Sequence, residues 1–339
     1  MFLCVARRFG LTIQSLDAGS GCLYIAHMNA DRIVVFDTAS RKVLADLAGF
    51  PSVHGVWAVP ELQRVFASAT GDHEVAAVDT QTFRTVAKVG PINYPDGLAY
   101  APGPERVFVS DEHGSTDAVI DTETYKLLKK IELGGGAGNT VFDPTANRIL
   151  VAVHEKNELA AIDPVKLEIV GRYPLPGLRE PHGISLDVAN HLAFVAGAGN
   201  HTLAFIDLNT MQALGTYPVG DDPDVLSFDP GLKQLYISAE SGDVWVYREK
   251  GRNLRMGLNT WAAFYGSNDN AAIAGDIAML EKEVTPTLKA LRSHGLDVVA
   301  IHQHMLSTHP TVIFLHYWGQ GKVDDLATGF KAALDQLGH

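Results

Sequence analysis

The stretch "LYIAHMNADRIVVFDT", residues 23–38, sets two runs of β-branched and aromatic residues around a polar break. Such runs suit a pleated, half-buried surface, and "MNAD" supplies turn chemistry between them. The stretch therefore predicts a hairpin whose second strand ends on Asp37. The segment also returns. "VAAVDT", "AVIDT", "LAAIDP" and "LAFIDL" repeat its second half and place aspartates at Asp79, Asp121, Asp163 and Asp207. From Asp37 the steps are 42, 42, 42 and 44 residues, and a weaker copy, "VWVYRE", ends at Glu249.

The first half of the stretch repeats in step, as "RVFASA", "RVFVSD", "RILVAV", "HLAFVAG" and "QLYISAE". A third run precedes it each time: "HGVWAVP", "DGLAYAP", "GNTVFDP", "HGISLDV", "DVLSFDP". A fourth, such as "RTVAKVG" or "LGTYPVG", completes the unit. Four strands every 40–45 residues is the period of a β-propeller blade. Six such units predict a mostly β chain with a six-bladed propeller over residues 1–250. The sixth unit lacks a fourth strand, and "MFLCVA" matches the fourth-strand pattern. Residues 1–8 are therefore expected to close the last blade, which leaves no open strand edge. The alternative is a truncated seven-bladed ring. In its repeats this region resembles the YVTN or YncE-like propeller family. That resemblance implies the fold and little chemistry, because propellers host many activities.

A chain of 339 residues, 46% hydrophobic and 19% charged, is a folded composition. The net charge of −12 argues against nucleic acid or an anionic membrane as partner. The two cysteines, Cys4 and Cys22, belong to no C-x-x-C pair, so neither a disulfide framework nor a thiolate zinc site is expected. The absence of a C-x-x-C-H motif excludes covalent haem, and no nucleotide-binding glycine motif is present. The apolar runs are strand-sized, so no membrane span is expected. "MFLCVARRFG" makes a poor secretory leader. The compartment stays open, although relatives of both parts are commonly exported.

The repeat lines up one position at the start of each first strand: Thr12, His54, Asp96, Gly138, His182 and Asp224. First strands surround a propeller's channel, so these positions face one another. His54, Asp96, Asn139, His182 and Asp224 are the candidate ligand-binding set at the channel mouth, suited to a divalent cation or a polar small molecule. The bland alternative is turn chemistry satisfied by water. Six-bladed lactonase-type hydrolases resemble this architecture and hold a cation with Glu, Asn and Asp. Here the series contains no Glu, and His takes two places. A second group, His27, His73, His113, His154 and His201, falls in blade hairpins and reads as solvated turn residues.

After a charged linker at 251–255 the pattern changes. "NTWAAFYG" and "NAAIAGDIAML" read as strands joined by "SNDN". "EKEVTPTLKALRSHG" reads as a helix with acids in its first turn and glycine at its end. Two more strands, "LDVVAIHQHML" and "TVIFLHYWG", precede an amphipathic helix, "VDDLATGFKAALDQLG". The order ββαββα predicts a small α+β domain over 256–339 with helices on one sheet face. "AIHQHML", "FLHYWGQG" and "LATGFKAALD" are similar to the repeated half of the LppY/LpqO family, whose domain has no established function. That family's H-x-H and H-[FY]-W-G patterns fall on His302, His304, His316 and Trp318.

In a strand, residues i and i+2 share a face, so His302 and His304 lie together. Val299 and Ile301 would face the core. His316 joins the pair if it stands opposite His302, whereas a one-residue slip turns it away. His302, His304 and His316 are the candidate metal ligands, for Zn, Cu or Ni, with Asp276, Glu281 or Glu283 as carboxylate partner. The alternative is backbone-bonded core histidines. With no nucleophile motif present, the expected function is a propeller that binds a small molecule or protein on its face. A metal-dependent hydrolase or lactonase at the channel mouth is the second reading, and a haem-type propeller cofactor protein the third.

Overall fold

The computed structural model describes residues 14–241, 243–248, 260–303 and 311–338. Residues 1–8, Thr12, the 251–255 linker and His304 lie outside these. The chain is mostly β and divides into two compact units, with a boundary in the chain between Leu226 and Ser227.

Up to Leu226 the chain builds five four-stranded antiparallel sheets, spanning residues 14–48, 53–89, 95–132, 137–174 and 181–218. This is a propeller-like arrangement. The first strands, Gln14–Asp17, Val53–Val59, Pro95–Ala101, Ala137–Asp143 and Pro181–Asp187, each touch the next. Apolar clusters fill the space between sheets. Phe66, Val75, Leu98 and Val107 make one, and Leu150, Leu159, Ile184 and Val195 another.

The repeating aspartates have a structural task. Asp37, Asp79, Asp121, Asp163 and Asp207 each accept backbone N–H groups two or three residues ahead, at 2.8–3.2 Å. These are Asx turns closing each third-to-fourth strand hairpin. Each turn ends on a left-handed residue four positions on: Arg41, Phe83, Tyr125, Leu167 and Met211, at φ 53–58°. Bulky residues seldom adopt this conformation. Its recurrence shows that the turn geometry dictates it.

Asp117 departs from the pattern. Its slot in the neighbouring blades holds Val75, Leu159 and Leu203, all fully buried. Asp117 is also fully buried, and neither carboxylate oxygen has a hydrogen-bond partner. Burial pushes its carboxyl up to about 7; the Thr140 hydroxyl beside it pulls the other way from outside good hydrogen-bond geometry.

From Ser227 onward, one sheet carries the chain to its end. Its strand order is Pro223–Asp229, Gln234–Ala239, Asp243–Arg248, Thr260–Ser267, Asn270–Leu280, Val312–Gly321 and Asp297–His302. Helix α1 (Glu281–Ser293) and helix α2 (Val323–Leu334) pack on one face. Leu291, Leu326 and Phe330 meet Ile273, Ile277, Leu315 and Tyr317 there. Ser267 pairs with Asn270, so Asn268 and Asp269 form a two-residue hairpin turn. Val299 and Ile301 are not buried: they are 66% and 45% exposed, although Ile301 pairs with the core residue Leu315 and so lies on the helix side. A bulge between Val298 and Ala300 skips Val299, and Val298 takes the core position. Ile301 lies on the edge strand, where no further strand covers it.

Candidate functional site

The aligned position sits on a repeated irregularity. Register shifts fall at Val53/Val56, Ala137/Thr140 and Pro181/Ile184 in three first strands. The extra residue re-aims the side chain away from the regular pleat, as bulges do. Each break sets two residues of the first strand against one of its neighbour: His54 and Gly55, Gly138 and Asn139, His182 and Gly183. The 95–101 strand does the same, with Asp96 and Gly97 against Ser110.

These bulges bring side chains from non-adjacent sheets together. His182 Nε2 lies 3.6 Å from Asp96 Oδ2, and His182 Nδ1 lies 2.9 Å from Asp224 Oδ1, off the line of a ring N–H hydrogen bond. Asp96, Glu112 and His182 each place a ligating atom within 4.8 Å of the others. His154 stands beside them, its ring 5.1 Å from that of His182 and its Nδ1 4.0 Å from Glu112 Oε1.

Two expected residues lie to the side. His54 has its Nδ1 on the Ser52 carbonyl at 2.7 Å and its Nε2 3.0 Å from the Tyr94 hydroxyl. Tyr94 packs its ring against His113 at 4.1 Å. Asn139 is buried against Gly97, and its Oδ1 has no hydrogen-bond partner.

Glu112 and His154 are the residues the sequence reading missed. His154, expected in a solvated turn, is largely buried. Each directly follows the second strand of its blade, and they stand 42 residues apart. That slot, traced through the repeat, was the available signal. Gly138 is the third requirement. A Cβ there would meet His182 Cα at 2.8 Å and His154 Nε2 at 2.9 Å, so glycine leaves room for the His182 backbone and the His154 imidazole.

The electrostatics follow from burial and proximity. Burial pushes the Asp96 carboxyl up, the Asp224 charge adds to this, and His182 and His54 oppose it; the result is about 6. Burial alone would lower His182. The Asp224 carboxylate, with Asp96 and Glu112, overrides it and lifts the imidazole to about 9. His154 is lowered to about 4 by burial and by the His182 charge. At neutral pH the pocket therefore holds the His182 imidazolium, the neutral His154 imidazole and the Asp96 carboxyl, with the Glu112 and Asp224 side chains beside them.

The second unit gathers part of the other expected set. His302 pairs with Phe314, and His316 pairs with Ala300. The offset from direct opposition is two residues, so both imidazoles keep one face. Their rings stack at 4.7 Å and 22°. Asp276 pairs with His316 on the other side, and its Oδ1 lies against His316 Nδ1. Glu283 is occupied elsewhere: it accepts the N–H groups of Leu280 at 2.8 Å and Gly338 at 2.5 Å.

Residues 242–336 match the family model described as a domain of unknown function, DUF1259. A comparison with curated proteins gives no match. Among solved structures the chain is similar to Kuenenia stuttgartiensis hydrazine synthase. The match has TM-score 0.54 and 14% identity, and covers 72% of this chain and 97% of that one. At that identity the likeness concerns the fold alone, and it agrees with a propeller-like architecture. Among the described residues no helix is long and apolar enough to cross a membrane, which leaves β-barrels aside.

Proposed function

We propose that this protein is a six-bladed propeller that binds a divalent cation, or a ligand carried by one, at its channel mouth. The supporting observation is the meeting of Asp96, Glu112 and His182 from separate blade elements, with ligating atoms within 4.8 Å. Asp224 lies 2.9 Å from the far nitrogen of His182, where a small turn of the ring would give the carboxylate–imidazole–ion arrangement that orients metal-binding imidazoles. Two carboxylates and one imidazole suit a first-row divalent ion such as Mn, Fe or Zn. Without an ion, the His182 proton serves as the cluster's counter-charge. Binding would release it, because only the free nitrogen ligates.

One observation favours a second reading, cation-assisted hydrolysis. His154 stands beside the cluster, its ring 5.1 Å from that of His182, placed to pass a proton from water to solvent. A bound ion would supply an acidified water, and loss of the His182 charge on ion binding would relieve one of the causes that lower His154.

Calorimetric titration of metal-stripped protein with Mn2+ and Zn2+ tests the binding claim. Wild type should bind one equivalent that Asp96→Asn and His182→Ala each weaken at least tenfold. Equal binding by wild type and both variants would overturn the assignment.

A further inference from the structure

The sheet face that carries no helix holds a row of paired residues running across four strands: Trp245, Trp261, Asp276, His316 and, beyond it on a fifth strand, Ala300. Leu315 and Tyr317, on either side of His316, point into the helix-covered core. Strand alternation therefore commits Asp276 and His316 to the opposite face. His302 reaches the same face from the edge strand, and all three lie within the unit that begins at Ser227.

We infer that His302 and His316 form a second metal site, for an imidazole-preferring divalent ion such as Cu2+, Ni2+ or Zn2+, with Asp276 as the residue that positions His316. The inference is independent of the channel site, since no residue is shared. Asp276 Oδ1 lies against Nδ1 of His316 and is otherwise without a hydrogen-bond partner, so the ligand nitrogen in this assignment is Nε2. This is how proteins orient metal-binding imidazoles.

Distance supports a common ion. A metal–nitrogen bond of about 2.1 Å puts the ion about 3.2 Å from each ring centre. Two rings at a right angle on one ion then stand about 4.5 Å apart, and at the tetrahedral angle about 5.2 Å. The observed separation of 4.7 Å falls between these values, and because the rings are stacked at 22°, ligation requires a turn of one imidazole about its χ2 bond to bring both nitrogens onto the ion. The imidazoles sit on paired strands of a sheet backed by two helices, so the change is confined to side-chain rotation. His316 is also reachable from solvent, at 37% side-chain exposure.

Cu2+ bound to the full chain provides the test, because its paramagnetic resonance spectrum reports ligating nitrogens. In a His182→Ala background, which removes the channel imidazole, Cu2+ should still bind and show a two-nitrogen pattern. His302→Gln should reduce this to one nitrogen, as should His316→Gln, each with at least tenfold weaker binding. Asp276→Asn should keep two nitrogens but weaken binding about 10- to 100-fold, as outer-shell replacements do. Circular dichroism confirms folding of each variant. An unchanged spectrum and affinity in His302→Gln and His316→Gln would overturn this site. Loss of Mn2+ or Zn2+ binding in Asp96→Asn bears only on the channel.

Discussion

His182 stands between two carboxylates, its Nδ1 2.9 Å from Asp224 Oδ1 and its Nε2 3.6 Å from Asp96 Oδ2. The two aspartates come from different blades, and the imidazole bridges them through both nitrogens. Three charges in one buried space make the pocket sensitive to the loss of any one.

Replacing Asp224 by Asn removes the charge that holds His182 protonated. Burial, which favours the neutral ring, then dominates. The His182 pKa should drop by more than one unit, read from its ring proton shifts in an NMR titration. A pKa still near 9 would mean that Asp96 and Glu112 suffice.

Gly138→Ala tests the packing of the two histidines. The added methyl meets His182 backbone at 2.8 and 2.9 Å, and backbone yields less than a flexible side chain. The variant should lose about 1–3 kcal/mol of stability by denaturant unfolding and should bind the channel ion at least tenfold more weakly. Wild-type affinity in a stable Gly138→Ala protein would remove the crowding argument.

Stability should fall as pH rises above neutrality. His182 is raised in the folded state, so its contribution is complete below about 6.5 and disappears as pH climbs through about 9. On the acid side His154 acts in reverse. It stays neutral when folded, so stability is lost as pH falls from about 6.5 toward 4. Thermal unfolding between pH 4 and 10 checks both limbs. The alkaline limb should flatten in His182→Gln.

Asp117→Val should stabilise the protein. The other blades place Ile, Val or Leu in this slot, and the buried carboxyl lacks hydrogen-bonded partners. An unmatched buried polar group costs about 1–3 kcal/mol, which the substitution recovers. It should also abolish a loss of stability as pH rises from about 4 to about 7, the span in which the carboxyl is ionised in the unfolded chain but still protonated in the folded one. A lower unfolding midpoint in Asp117→Val would show that the carboxyl has a partner the geometry does not display.

The repeat was legible in the sequence because each blade hairpin needs its own Asx turn, so the aspartates recur at a constant step. The alternation of apolar residues followed for the same local reason. Asp96, His182 and Asp224 were singled out because equivalent repeat positions were expected to face one axis, and these three side chains do meet, whereas His54 turns to Ser52 and Tyr94. Their partners were harder to read. Glu112 and His154 lie after second strands, and only the bulged first strands swing Asp96 and His182 toward them. No local pattern announces that meeting.

In the second unit, the pairing of His302 with His316 depended on strand parity. Sequence established that His302 would share a face with His316 if the offset between them was even. The bulge at Val299 set that offset, and it also turned Val298 rather than Val299 toward the core. Periodicity and turn chemistry act within a few residues, so the sequence by itself determined the blades, the helices and most of the candidate side chains. Which of those side chains touch was decided by the tertiary structure, because contact depends on register, bulges and the approach of strands far apart in the chain.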